Sequence, residues 1–140
     1  MSYARQVEDG LVPRLVDVLE SRDADFPSLR LALLFGSRAE GRAGADSDVD
    51  LAVLAARPLA SAEIIELVRD IASAVGLGVD IVDLHDLPQP VTAEALGGRR
   101  LLGDDTAFAE TVARNAAMYE DFGRLRERVL ARRRREWLDE

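Results

Sequence analysis

The chain has 140 residues, a formal net charge of −8, and 48% hydrophobic against 31% charged residues. That suffices for one domain with its own core and is too acidic for a general nucleic-acid binder. It has no cysteine, one histidine (His85) and 18 basic residues that are all arginine, which excludes disulfides, thiolate catalysis, Cys-ligated zinc, a multi-His metal centre and the lysyl-adenylate route of ligases.

Val7, Leu11, Leu15, Val18 and Leu19 recur at helical spacing, which predicts a first helix that either starts near Gly10 to Pro13 or kinks there. Ser21 to Ser28 reads as a loop. Leu31 to Phe35 and Val49 to Leu54 are short apolar runs bounded by polar or Gly-containing sequence, so both read as buried strands. Between them a short turn of helix is expected from Ser37 to about Gly41, then a Gly/Ala/Asp loop to Ser47. Ser61 is the expected N-cap of a helix with Glu63 in its first turn. Ile64, Leu67, Val68, Ile71 and Val75 line one face of it, and Gly76 stops it. Val79 to Leu84 is a third strand, and strand–helix–strand predicts a crossover unit. After the break at Pro88 and Pro90, Thr92 to Leu96 reads as a short helix ended by Gly97-Gly98, and Arg100 to Leu102 as a small edge strand. From Asp104 or Asp105 a long helix is expected to about Trp137, with Gly123 as a point where it can bend; Tyr119 and Phe122 read as core. The fold class is α/β: a small mixed sheet of three to four strands with helices mainly on one face, in a single domain 1–140.

The chemistry-bearing stretch is Gly36-Ser37, ten residues, then Asp48-Val49-Asp50. Gly36 and Ser37 stand where a strand ends and the chain turns, a place that lets backbone approach a ligand and hold an anion. Asp48 and Asp50 are two apart on a strand, so both carboxylates point to one face, roughly 6.6 Å apart along the backbone. At an effective dielectric of 20 they repel by about 2.5 kcal/mol, which a hard divalent cation offsets; Mg²⁺ favours one or two carboxylates plus phosphate oxygens. The plain alternative is a strand start with solvated acids.

Gly-Ser and Asp-x-Asp at this offset resemble the signature of the DNA polymerase beta-type nucleotidyltransferase superfamily. The wording Gly36-Ser37-Arg38-Ala39-Glu40-Gly41 with Ser47-Asp48-Val49-Asp50-Leu51 resembles its smallest members, the minimal nucleotidyltransferase (MNT) antitoxins that pair with HEPN-domain toxins. The resemblance implies Mg²⁺ held by Asp48, Asp50 and a third carboxylate on the next strand, ATP as substrate, and AMP transfer to a tyrosine of a HEPN toxin. Asp80 matches the third position best. Alternation puts Asp80 and Asp83 on opposite faces, so only one of them joins the site; Asp80 also stands on an otherwise apolar strand, where an unpaired carboxylate is costly. A salt bridge or edge position is its alternative. Ser37 would bond a terminal phosphate oxygen or simply cap a helix, and Arg38 reaches the phosphates or is solvated. His85 reads as a surface loop histidine and Asp46 as a loop acid.

Two other functions stay open: a small-molecule, aminoglycoside-type nucleotidyltransferase, for which 140 residues leave little room, and a catalytically silent antitoxin that acts by binding. Residues 124–140 carry seven arginines and four acids, so Arg132–Arg135 is either a solvated helix end or a docking surface for an acidic or RNA-bound partner. No stretch looks like a signal peptide or reaches the roughly 18 apolar residues of a membrane span, and the expected location is cytoplasmic.

Overall fold

The computed structural model describes residues 3–39, 48–86, 91–117 and 131. Expectations placed on Glu40 to Ser47, on Pro88 and Pro90, on Tyr119, Phe122 and Gly123, and on Arg132–Arg135 and Trp137 lie outside the described residues. The chain divides into two compact units, residues 1–108 and 109–140.

In the first unit the order is α1 (Tyr3–Glu20), β1 (Leu29–Phe35), a 3₁₀ turn (Gly36–Arg38), β2 (Val49–Ala55), α2 (Ser61–Val75), β3 (Val79–Asp83), α3 (Val91–Leu96) and β4 (Arg99–Leu102). The four strands form one mixed sheet in the order β3-β2-β1-β4. β1 is antiparallel to β2 and β4, and β2 is parallel to β3, as a crossover through α2 requires. Residues 105–117 are helical (α4); Asp104 caps the start, its Oδ1 accepting the Ala107 N–H at 2.8 Å.

β1 from Leu31 and β2 from Leu51 are continuous apolar runs because both faces are covered there. On one face Leu11, Leu15 and Leu19 of α1 and Leu67, Ile71 and Val75 of α2 pack with Ala32, Leu34, Val49, Leu51 and Val53. On the other, Leu31, Leu33, Phe35, Ala52 and Leu54 pack with Ala95 of α3, flanked by Leu96 and Phe108. Each fully buried Leu or Ile stabilises by about 1.5–3 kcal/mol.

One local expectation changes and two are refined. α1 runs through Pro13 rather than starting there; Pro13 is exposed, so water can take the carbonyl that proline leaves unbonded. The N-cap of α2 is Ala60, not Ser61. No cap hydroxyl is needed, because Glu63 Oε1 accepts the Ala60 N–H at 2.9 Å and Arg57 grips both oxygens of the same carboxylate, at 2.8 and 2.9 Å. That arginine and the backbone N–H hold the Glu63 carboxyl below its usual range. Finally, α3 lies on the face away from α1 and α2, which brings a helix beside the site.

Candidate active site

β1 ends at Phe35 and the chain turns at Gly36, whose φ of 75° lies in the left-handed region. A Cβ there would also come within 2.5 Å of Asp50 Oδ2, so the turn needs glycine both for conformation and for room. Phe35 pairs with Asp50 across the antiparallel ladder, which sets the Gly36 turn against the Asp50 carboxylate.

Asp50 pairs on its other side with Asp80 of the parallel strand β3. Registered partners project to the same face, and that face also carries Ala52 and Leu54, away from α1 and α2. Asp48, two residues before Asp50, lies over Gly78; a Cβ on Gly78 would collide with the Asp48 carboxylate. Burial raises the Asp50 pKa above its ordinary 3.8, and the charges of Asp80, Asp48 and Glu94 raise it further. The charges of three further carboxylates are therefore felt at Asp50, and the field there calls for positive charge.

The structure separates Asp80 from Asp83 as alternation requires, but not for the reason of cost. Asp80 is exposed, so no burial penalty singles it out. The buried acid of β3 is Asp83, 8% exposed, and it is satisfied: Oδ2 accepts the Leu59 N–H at 2.8 Å and Oδ1 the His85 N–H at 2.9 Å. His85 is half-buried rather than a surface histidine, with Nε2 2.9 Å from the Ala55 carbonyl oxygen. Asp83 and His85 thus tie the exit of β3 to the exit of β2 and the approach to α2.

Ser37 sits half-buried in the 3₁₀ turn beyond Gly36. Arg38 is only 6% exposed, so its side chain is part of the interior and not a solvated surface group. Beside the turn, Phe35, Gly36, Ala39, Glu94, Gly97, Gly98 and Arg99 line a cavity of about 220 Å³. Gly98 allows it: a Cβ there would run into the Leu34 carbonyl, so only glycine lets the α3–β4 turn close onto the end of β1. Glu94, Gly98 and Arg99 escape sequence reading. The one available signal is an acid on a short helix that ends in Gly97-Gly98 and Arg99.

The donor set facing this spot is all carboxylate oxygen, the ligand type of hard cations. Among the described residues no three acidic or imidazole side chains converge closely enough to enclose an ion alone. Mg²⁺ takes one or two carboxylates and completes its octahedron with phosphate oxygens and water, so Asp48 and Asp50 fit it.

The family model for polymerase beta nucleotidyltransferases matches residues 13–107. The chain is 34% identical over 110 residues to the protein adenylyltransferase MntA of Shewanella oneidensis, covering 76% of this chain and 77% of that protein. A toxin–antitoxin complex solved with AMP-PNP superposes with a TM-score of 0.76 at 28% identity, over 85% of this chain and 94% of the matched one. A complex of tri-AMPylated Shewanella oneidensis HEPN toxin with MNT antitoxin gives 0.65 at 26% identity, over 91% and 95%.

Proposed function

Because the chain belongs to the polymerase beta nucleotidyltransferase family, we propose that it is an adenylyltransferase antitoxin that transfers AMP from ATP to a tyrosine of a cognate HEPN toxin and so neutralises it. The observation that carries this is the placement of Asp50 and Asp80 as register partners against the Gly36 turn, in a chain similar to an adenylyltransferase along three quarters of its length. The MntA relative and the AMPylated HEPN–MNT complex support the acceptor class, and the AMP-PNP complex supports an adenine nucleotide.

The roles are those the family resemblance implies, carried onto the positions these residues occupy. Asp48 and Asp50 would hold Mg²⁺, which when bound supplies charge neutralisation to the phosphates. Ser37, with the backbone N–H groups of its turn, binds a terminal phosphate oxygen, and Gly36 keeps the approach open. The buried Arg38 adds fixed positive charge behind the turn. Asp80, exposed and on the same face, orients the incoming tyrosine hydroxyl and accepts its proton. The phenol oxygen bonds to the α-phosphorus, the bond to the β-phosphate breaks, and pyrophosphate leaves. Catalysis of this kind is positioning and charge stabilisation. Among the described residues no helix is long and apolar enough to cross a membrane, and the proposed reaction belongs in the cytoplasm with its ATP.

Incubation with α-labelled ATP, Mg²⁺ and the cognate toxin tests the reading. Label on a toxin tyrosine, abolished by Asp48→Asn, is expected. Label only on a small alcohol such as an aminoglycoside would give the small-molecule reading instead. Silencing of the toxin without label, equally well by Asp48→Asn, would make the protein a binding antitoxin.

A further inference from the structure

Glu94 has no role in the steps above, yet its charge bears on Asp50 and it lines the cavity that opens from Gly36. An acid there cannot face phosphate oxygens, since like charges repel. Among the described residues no cation pairs with it: Arg99 lines the same cavity without an ion pair to it, and Arg100 is taken by Asp105 at 2.8 Å. Glu94 is exposed and stands on α3, which the Gly98 contact with Leu34 presses onto the sheet. It is therefore a carboxylate held at the site edge with its acceptor oxygens unused.

We propose that Glu94 reads the ribose of the nucleotide, accepting hydrogen bonds from the 2′- and 3′-hydroxyls. This rests on the nucleotidyltransferase reading. Within a nucleoside triphosphate, only the ribose hydroxyls and the base N–H groups donate to a carboxylate. The ribose is a single ester linkage away from the α-phosphorus, which sets it beside Asp50. A vicinal diol offers two donors to the two oxygens of one carboxylate. The cavity, about 220 Å³, is smaller than the roughly 300–1,000 Å³ that encloses a whole drug-sized ligand, and so suits one moiety. Gly36, Gly97 and Gly98 keep its walls at backbone height, and Phe35 gives it an apolar floor. Glu94 is then a specificity residue that favours ribonucleotides over deoxyribonucleotides.

The test compares ATP, 2′-deoxyATP and 3′-deoxyATP for binding and for transfer to the toxin, in wild type, Glu94→Ala and Glu94→Gln. Wild type should prefer ATP over the 2′-deoxy analogue by about tenfold or more, the scale of hydrogen bonds to a charged group. Glu94→Ala should lose ATP affinity by a similar factor and no longer distinguish the sugars, with the larger loss in KM; Glu94→Gln, which keeps one acceptor, should fall between. A wild-type ratio retained in Glu94→Ala would overturn the inference while transfer itself survives. A Glu94→Ala variant that demands more Mg²⁺ without a change in the sugar ratio would also overturn it, as a metal-facing role. If wild type binds no nucleoside triphosphate at all, this inference and the proposed function fall together.

Discussion

Asp50 and Asp80 are register partners on two parallel strands, and the negative charge of Asp80 makes Asp50 harder to ionise. Burial and this like-charge neighbour both raise the Asp50 pKa. A carboxyl raised in the folded state contributes stability that is fully present below its unfolded value and is lost as pH rises through the folded one. In metal-free protein the ionised Asp50 therefore costs stability at neutral pH. Asp50→Asn should stabilise the metal-free protein at neutral pH and so raise its Tm, the gain being at most about 1 kcal/mol because solvent screens the half-open site. The difference should vanish below pH 3.8. Melts of both proteins across pH in EDTA check this; a lower Tm for the variant at neutral pH would contradict it.

The same repulsion predicts the response to ligand. Mg²⁺ with ATP binds the folded state and offsets the clustered carboxylates, so at a hundredfold excess over Kd it should stabilise by about 2.7 kcal/mol. The double variant Asp48→Asn/Asp50→Asn should show little of that shift. Thermal melts with ATP alone, Mg²⁺ alone and both separate the contributions, and an equal shift in the double variant would remove these residues from the site.

Asp80 and Asp83 should respond differently to mutation. Asp80→Asn removes an exposed group on the site face, so it should slow transfer more than it weakens ATP binding and leave Tm nearly unchanged. Asp83→Asn sets an amide N–H₂ against one of two backbone N–H donors, those of Leu59 and His85. It should destabilise by about 1–3 kcal/mol while the remaining folded protein keeps its kcat. Urea unfolding beside single-turnover kinetics distinguishes the two, and a kcat loss in Asp83→Asn without a stability loss would contradict it.

The sequence is legible where physics is local. Apolar runs mark β1, β2 and β3, the 3.6 spacing of Leu67, Ile71 and Val75 marks the buried face of α2, and a period of two separates Asp80 from Asp83. It is illegible where distant backbone decides. The burial of Asp83 depends on the Leu59 N–H, 24 residues away, and the place of His85 on the Ala55 carbonyl, 30 residues away. The N-cap of α2 falls one residue early because Arg57 and Glu63 together replace a hydroxyl at Ala60. Glu94 is invisible because α3 is six residues long and gains its position from Gly98 against Leu34, a contact that composition does not announce.

Gly36 offers the sharpest test of how the backbone serves the site. Alanine there meets two obstacles: a φ of 75°, which costs a non-glycine residue about 1–2 kcal/mol, and Asp50 Oδ2 at 2.5 Å from the new Cβ. Either the turn shifts or the carboxylate swings away, and both outcomes separate Ser37 from Asp50. Gly36→Ala should therefore fold with Tm lowered by a few degrees, roughly what 1–2 kcal/mol does in a domain of this size, yet lose nucleotide binding and transfer by about a hundredfold, as misplacement near 1 Å does. Gly76→Ala is the control: its φ of 69° imposes a similar backbone strain, but nothing lies within 4 Å of the added Cβ. It should lower Tm comparably and leave transfer intact. Equal losses of transfer in the two variants would mean that strain, and not the contact of Gly36 with Asp50, governs the site.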